Sequence, residues 1–380
     1  MVVRGTTRVR RWRAAVVASL LVLTFARLAG AQEDRDPAYR RLNATFVDRH
    51  VLPRYTQLGD ATAALDVAAH RFCAAPGPDV GEALRSAYHA AADAWQSVAH
   101  VQAGPIGAQL RADRLAFWPD PRNATGRQLT DLLAGRDPAT LTPEAFGRAS
   151  AAVQGFPALE RLLFDQGAMA AFQIGNEDAR RRCQVLETVT RNVVGIVADV
   201  RREWTSGETA FARRVESAGP GNATFPEPKE ATFEVLRSLD SGLGLIETLK
   251  LAKPLGGSIA AARPTFTEEW RSSRSLRNIR LNLVALKALY LGEGGWGPSD
   301  FVREVATAPE IDARIRRGFD AAIHLADAIP GPLDVAVTNP RVRPSVERLL
   351  KEVRELVHVV QEYLATALDL PLGFNARDGD

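Results

Sequence analysis

The feature that most constrains the fold is an apolar stripe that repeats at helical spacing from Cys183 to Trp204. Apolar residues recur three or four positions apart with charged residues between them, which is typical of a helix packed in a bundle. From Gln32 onward similar spacing recurs nearly everywhere, and no stretch alternates apolar and polar residues as a half-buried strand would. The sequence therefore predicts an all-α fold. The stripe consists of Cys183, Leu186, Val189, Val193, Ile196, Val200 and Trp204.

A polar stretch broken by proline and glycine, from Ala218 to Pro228, divides the chain into two parts. Such composition marks turns and domain boundaries. We expect an N-terminal helical bundle over 32–218, a linker over 219–229 and a C-terminal helical bundle over 230–380, with a cleft between the bundles. Helices are predicted at 39–55, 60–73, 80–98, 128–133, 143–153, 177–204, 230–253, 266–290, 311–328 and 344–369.

Residues 1–31 are predicted to be a cleavable signal peptide. An arginine-rich start precedes an apolar run over 14–25 that is too short to span a bilayer, and Ala29-Gly30-Ala31 is typical of a cleavage site. An uncleaved anchor is the alternative. The segment holds six arginines and no acidic residue, so 42 of the 48 basic residues remain against 45 acidic ones. That balance gives no basis for nucleic-acid binding. We expect an exported protein of the periplasm or cell envelope, at most peripheral to the membrane.

Cys73 and Cys183 are the two cysteines of the chain. An even pair in an exported protein suggests a disulfide, because the compartment is oxidising. Each cysteine lies on the apolar side of a predicted helix. Two buried free thiols are the alternative interpretation.

The stretch from Gly155 to Phe164 has the pattern of a helix start. Pro157 suits the first helical turn, where a missing N–H costs nothing, so the helix is predicted to begin there. Glu160 would then lie in the first turn, where the helix dipole favours a negative charge. A core helix with an acidic first turn explains the local pattern without any functional role.

The same stretch resembles the Gly-x-His-x-x-Glu motif of the imelysin family, which is named for a peptidase activity. Gly155 and Glu160 match that motif, but Pro157 stands at the histidine position and has no side-chain ligand atom. The resemblance extends to the series Trp95, Gly104-Pro105 and Trp118-Pro119, and to the tail 372–380. It implies two helical bundles and an association with iron uptake.

Two further groups of polar residues lie at helical spacing. His89, Asp93, Gln96 and His100 are expected to form a solvated face, with a metal-binding stripe as the alternative. Arginines at 271, 274, 277 and 280 would bind an anion if they faced a cleft. The alternative is an exposed arginine face paired with Glu268 and Glu269. By the resemblance, Ser272, Ser275 and Asn278 correspond to a serine- and asparagine-containing segment of the family.

No standard enzyme signature occurs: HExxH, CxxC, GxSxG and the Walker loop are all missing. We expect a non-catalytic envelope protein that binds a metal, iron or zinc, or a small ligand or partner protein. The alternative is a metallopeptidase, which the loss of the motif histidine at Pro157 disfavours because a metal site needs about three protein ligands. Candidate ligand-binding residues are Gly155, Glu160, Trp118, Asp120, Arg274, Ser275 and Asn278, and Glu160 is the one candidate metal ligand.

Overall fold

The structure, a computed structural model, describes residues 35–173 and 175–370, and it confirms the all-α fold. Those ranges contain helices and turns and no strand. The predicted signal peptide, 1–31, and the family-like tail, 372–380, lie outside the described residues. The longer helices are α1 (36–74), α2 (Pro78–Val98), α3 (Ala124–Ala134), α4 (Phe156–Phe164), α5 (Glu177–Thr205), α6 (228–255), α7 (Ser275–Leu291), α8 (Pro309–Ala328) and α9 (343–367).

Shorter helical pieces fill the connections. Five are short α-helices: Arg111–Leu115, Pro143–Gly147, Phe211–Glu216, Pro298–Glu304 and Leu333–Ala336. Six are 3₁₀ turns: Gly104–Leu110, Pro138–Leu141, Ala151–Val153, Ala170–Phe172, Ile259–Ala261 and Pro264–Phe266.

The predicted break between helices 39–55 and 60–73 is wrong, because α1 runs through it without interruption. A π-helical turn, Phe46–Val51, directly precedes Pro53. Proline removes a helical hydrogen bond and crowds the carbonyl four residues earlier, and a wider turn relieves both problems. The same arrangement recurs in α6, where the π-helical turn Ile246–Ala252 precedes Pro254. Both prolines therefore lie inside long helices.

Two groups of helices share one connected apolar core. The later part of α1 packs between α2 and α5, while α6, α7, α8 and α9 pack on one another. The start of α1 crosses to the second group: the Asn43 amide donates to the Pro228 carbonyl at 2.8 Å, and Thr232 donates to Asn43 at 2.8 Å. The division at 219–229 remains a prediction. Residues 36–45, which precede that boundary in sequence, pack against helix α6, which follows it.

The predicted disulfide is confirmed. Cys73 at the end of α1 is bonded to Cys183 in α5, with Cα atoms 5.6 Å apart and a sequence separation of 110. The bond joins two helices that already pack side by side.

Among the described helices, none combines the length and the apolar character that crossing a bilayer would require.

Removing the disulfide should destabilise the protein considerably. Cross-links that close loops of this length stabilise by about 4–5 kcal/mol in the chain-entropy model, mainly by restricting the unfolded chain. We expect the variant with Cys73→Ser and Cys183→Ser to lose about 2–5 kcal/mol in urea unfolding. The reduced wild type should match that variant. Equal stability of the oxidised wild type and the variant would contradict the prediction.

Candidate functional site

A cavity of about 310 Å³ lies between residues from both sides of the predicted domain boundary. It is formed by α2, the start of α4, the segment 116–125 and the segment 265–271. Three of the candidate ligand-binding residues, Trp118, Asp120 and Glu160, meet at its wall together with Pro157. The remaining candidates, Gly155, Arg274, Ser275 and Asn278, do not line it. Aromatic side chains make up much of the wall: Trp95, Phe117, Trp118, Phe156, Phe266 and Trp270.

Gly155 has a structural reason to be glycine. A Cβ atom there would lie 2.1 Å from the Leu115 carbonyl oxygen and 2.4 Å from that of Arg114. The two backbones can approach this closely only without a side chain. Gly155 thus fixes where α4 begins, one residue before the predicted start.

Glu160 is not in the first helical turn, where the sequence placed it. It lies in the second turn of α4 and is only 4 % exposed. Its Oε1 accepts two hydrogen bonds from Ser272, one from the backbone N–H at 3.0 Å and one from the hydroxyl at 2.7 Å. The carboxylate therefore ties α4 to the segment 267–274 across the cavity wall.

The segment 267–274 is not helical, so the helix predicted over 266–290 begins only at Ser275. Glu269 and Ser273 have φ angles of 48° and 57°, in the left-handed region that non-glycine residues rarely adopt. Such conformations persist where surrounding contacts determine them. Here those contacts are the hydrogen bonds made by residues of the segment, and they hold the side chains of Glu268 and Glu269 in the protein interior.

Glu268 is part of a buried cluster in which both of its oxygens have donors. It accepts from the Lys250 ammonium at 2.7 Å, from Asn278 at 2.9 Å and from Gln96 at 3.2 Å. Lys250 also donates to Gln96 and Asn282, at 2.9 and 2.7 Å. Burial disfavours the charge of Glu268, but the charge and hydrogen bond of Lys250, together with the hydrogen bonds from Asn278 and Gln96, outweigh it and lower the pKa of the carboxyl.

Glu269 has a second set of partners. It accepts from the Tyr88 hydroxyl at 2.9 Å, from Asn278 at 2.8 Å and from Arg274 Nε at 3.1 Å. Burial raises the pKa of Glu269 despite the opposing charge of Arg274. Arg274 itself is 2 % exposed and also donates to Asp93 and His89, so the interpretation of an exposed arginine face is wrong at this position.

The polar stripe of α2 faces α7 rather than solvent. Asp93 pairs with Arg274 and Arg277, and Gln96 is 1 % exposed inside the Lys250 cluster. The fourth member, His100, lies elsewhere: its Nε2 is 2.6 Å from Nε2 of His50 in a separate buried contact. The expected solvated face is thus a contact between helices. Ser275 contributes through a hydroxyl that donates to the Glu268 carbonyl at 2.5 Å.

Glu160 differs from its two neighbours in charge compensation. Within the described ranges, Glu268 and Glu269 each have a Lys or Arg nitrogen within 4.0 Å, but Glu160 has none. Burial, together with the negative charge of Glu269, raises the pKa of Glu160 to about 7, although Ser272 opposes the shift. The cavity wall therefore carries one carboxylate that holds a proton over part of the neutral range.

The side chains present do not fit a metal centre held by the protein. In residues 35–173 and 175–370 no group of three or more His, Cys, Asp or Glu side chains is placed to hold a metal ion. Pro157 supplies no ligand atom, and one oxygen of Glu160 is already engaged by Ser272. Structural zinc takes four ligands and catalytic zinc about three, so a single free carboxylate oxygen is a poor site for zinc or iron.

Known proteins share this helical architecture. The family model described as Imelysin matches residues 51–360, most of the chain. The chain belongs to the imelysin family. This imelysin-family protein is 24 % identical over 304 residues to iron-regulated protein A of Synechococcus elongatus, and the match covers 79 % of each protein.

Two solved structures share the fold of this imelysin-family protein. An imelysin-like protein from Psychrobacter arcticum superposes with a TM-score of 0.70 at 19 % identity, covering 89 % of this chain and 98 % of the other. An iron-regulated protein A precursor from Parabacteroides distasonis gives 0.69 at 17 % identity, covering 86 % and 94 %. At these identities the likeness establishes the fold.

Sequence reasoning missed much of the buried charge. Lys250 and Tyr88 are not among the sequence candidates, and Gln96 is expected on a solvated face. Glu268 and Glu269 enter only as alternative partners of an exposed arginine face. One signal was present: the polar stripe of α2 carries an acid and an amide, Asp93 and Gln96, and the start of α7 carries arginines and asparagines that can pair with them. Two complementary stripes in an all-α chain can indicate a polar contact between helices.

The raised pKa of Glu160 predicts that the stability difference between wild type and a variant with an uncharged side chain at this position depends on pH. Folded protein retains a proton that the unfolded chain releases above its ordinary pKa of about 4.3, so stability is lost as pH rises toward about 7. We expect Glu160→Gln to equal wild type near pH 4, below the unfolded pKa, and to exceed it near pH 8 by up to about 3 kcal/mol. Urea unfolding over this range tests it, with the exposed loop variant Glu208→Gln as control. A difference that does not change with pH would contradict it.

The Lys250–Glu268 pair should be costly to break. Removing one partner of a buried ion pair leaves an uncompensated charge and typically costs about 3–5 kcal/mol. We expect Lys250→Met to lose that amount and the double variant with Glu268→Gln to recover part of it. Lys351→Met, at an exposed position of α9, serves as the matched control. Chemical denaturation measures all four, and a double variant no more stable than Lys250→Met would count against the pairing.

Proposed function

We propose that this protein is an exported cell-envelope protein that binds a small ligand in the cavity beside Glu160 and does not hydrolyse peptides. The observation that carries the proposal is Glu160 itself. A buried carboxylate without a cationic partner faces an aromatic-lined cavity of about 310 Å³. Ligand sites are commonly pockets of about 300–1,000 Å³ with apolar walls and a few placed polar groups.

A catalytic role for the same cavity has weaker support. Metallopeptidase chemistry needs a metal held by about three ligands with an open position for water. The described residues around Glu160 supply no such set, and Pro157 stands where the family motif has histidine. Glu268 and Glu269 are committed to Lys250 and Arg274, which leaves neither as a free base.

The context of the binding is proposed from relatives and from the amino terminus. Two similar proteins carry the name iron-regulated protein A, so we propose a role connected with iron supply. Export rests on residues 1–31, which have the charge pattern and cleavage site of a signal peptide. The ligand would then be encountered in the periplasm or at the envelope.

Binding in this cavity can be tested without knowing the natural ligand. Ligand-observed NMR with a fragment set divided equally among anionic, neutral and cationic compounds would find those that bind. Ala116→Phe should abolish the hits, because Ala116 lines the cavity and a larger side chain would fill it. Ala90→Phe, exposed on α2, is the matched control. Hits that Ala116→Phe leaves unaffected, or no hits in any class, would refute the proposed site.

We predict that the wild-type protein cleaves no casein, with or without added zinc or iron, and binds neither metal at micromolar or tighter affinity. Calorimetry after chelator treatment would compare wild type, Glu160→Gln and Pro157→His. Pro157→His should fold, since the first helical turn accepts most residues, and any metal affinity it gains would come from the restored ligand. Tight binding by wild type that disappears in Glu160→Gln would overturn the prediction and revive the peptidase interpretation.

A further inference from the structure

The two oxygens of Glu160 have different surroundings. Oε1 accepts both hydrogen bonds from Ser272. No described residue donates a hydrogen bond to Oε2, although the side chain is 4 % exposed and lines the cavity. Oε2 is not among the fully enclosed polar atoms of the described residues that lack a partner, so it keeps access to the cavity. This oxygen is positioned to receive a donor from whatever occupies the cavity.

Other charged side chains around the cavity already have partners. Asp120 accepts from the first backbone N–H groups of α3, Ala124 and Thr125, at 2.7 and 2.9 Å. Arg271 donates to Asp165 at 2.6 Å, and Arg161 lies 3.5 Å from the same carboxylate. Among the described wall carboxylates, Asp120 and Glu160 both lack a Lys or Arg nitrogen within 4.0 Å. Both oxygens of Asp120 have backbone donors, whereas Oε2 of Glu160 has none, and a cationic ligand would supply both the charge and the donor.

The aromatic wall favours the same kind of ligand. Ring faces attract cations within about 6 Å, and the attraction is larger in desolvated sites. Arg271 already shows that a cation suits this wall, because its guanidinium lies 4.3 Å from the centre of the Trp270 ring. Other rings of the wall, including Trp118 and Phe117, surround the remaining space.

We propose that the cavity binds an organic ammonium ion, a primary amine on a small apolar body, whose N–H groups donate to Oε2 of Glu160. This inference rests on the proposed function and names its ligand class. The apolar body would pack against the aromatic wall. A bare metal cation fits less well because the described residues offer it one free oxygen rather than three ligands.

Binding should then be linked to the release of a proton. In the empty cavity the pKa of Glu160 is about 7, and the ammonium ion binds only the ionised carboxylate. The charged groups that face Glu160 are Glu269 and Arg271 from the segment 265–271 and Arg161 from α4, while α2 contributes the Tyr88 hydroxyl. Affinity should rise by about tenfold per pH unit below the pKa and level off above it.

Calorimetry with 2-phenylethylamine as the probe, between about pH 5.5 and pH 8.5, tests the inference. We expect proton release near one per ligand at the lower end and near zero at the upper end. The uncharged isostere 2-phenylethanol should bind at least tenfold more weakly at about pH 8. Glu160→Gln should lose at least tenfold in affinity and all the pH dependence, whereas Glu208→Gln should behave as wild type. Thermal unfolding of each variant confirms that it is folded.

A second variant changes the pKa of Glu160 while its carboxylate stays in place. Ser272→Ala removes the hydroxyl donor but keeps the backbone donor to Oε1, so the carboxylate should remain in place with a higher pKa. We expect unchanged affinity near pH 8.5 and a midpoint shifted to higher pH. Equal binding of amine and alcohol, or full amine affinity in Glu160→Gln, would overturn the ammonium inference. If only neutral or anionic fragments bind, and Ala116→Phe abolishes their binding, the ligand class is wrong and the proposed function stands. If nothing binds, both fail.

Discussion

The buried polar contact that α2 makes with α6, segment 267–274 and the start of α7 is the constraint on which the site depends. Arg274 bridges Glu269 and Asp93, and Lys250 joins Glu268 to Gln96. Buried charges are expensive to desolvate, and each is tolerated here because its hydrogen bonds are satisfied. A shift of α7 by one turn would leave several charges unpaired. The network thus favours one register of α2, α6 and α7, and with it the position of the cavity wall.

The same network also determines which carboxylate is available for binding. Segment 267–274 leaves the helical path at Glu269 and Ser273, and this turns the carboxylates of Glu268 and Glu269 toward the region where the Glu160 carboxylate lies. Lys250 and Arg274 compensate the first two. Glu160 approaches from α4 and receives only the two Ser272 donors. Its raised pKa and its free oxygen are therefore consequences of how the network distributes its few cations.

Much of the fold could be predicted from sequence, because apolar periodicity and cysteine number report burial and pairing directly. The Cys73–Cys183 bond and the long helix α5 follow from such signals. Polar periodicity is less informative. Solvent and a complementary helix satisfy a polar stripe equally well, so the burial of Gln96 was not evident. The left-handed conformation of Glu269 was also hidden, since neither glycine nor asparagine marks it.

The motif stretch shows why a family scaffold can persist where its metal chemistry does not fit. Gly155 is required by the backbones of Arg114 and Leu115, whatever the cavity binds. Pro157 suits the start of α4, since its missing N–H and fixed φ are both acceptable there. Glu160 is held by Ser272 rather than by a metal. Each matching position thus has a structural cause of its own, and their geometry alone does not imply catalysis. What the replacement of histidine by proline changes is the electrostatics, because a carboxylate without a metal or cationic partner must hold a proton or attract a cation from outside.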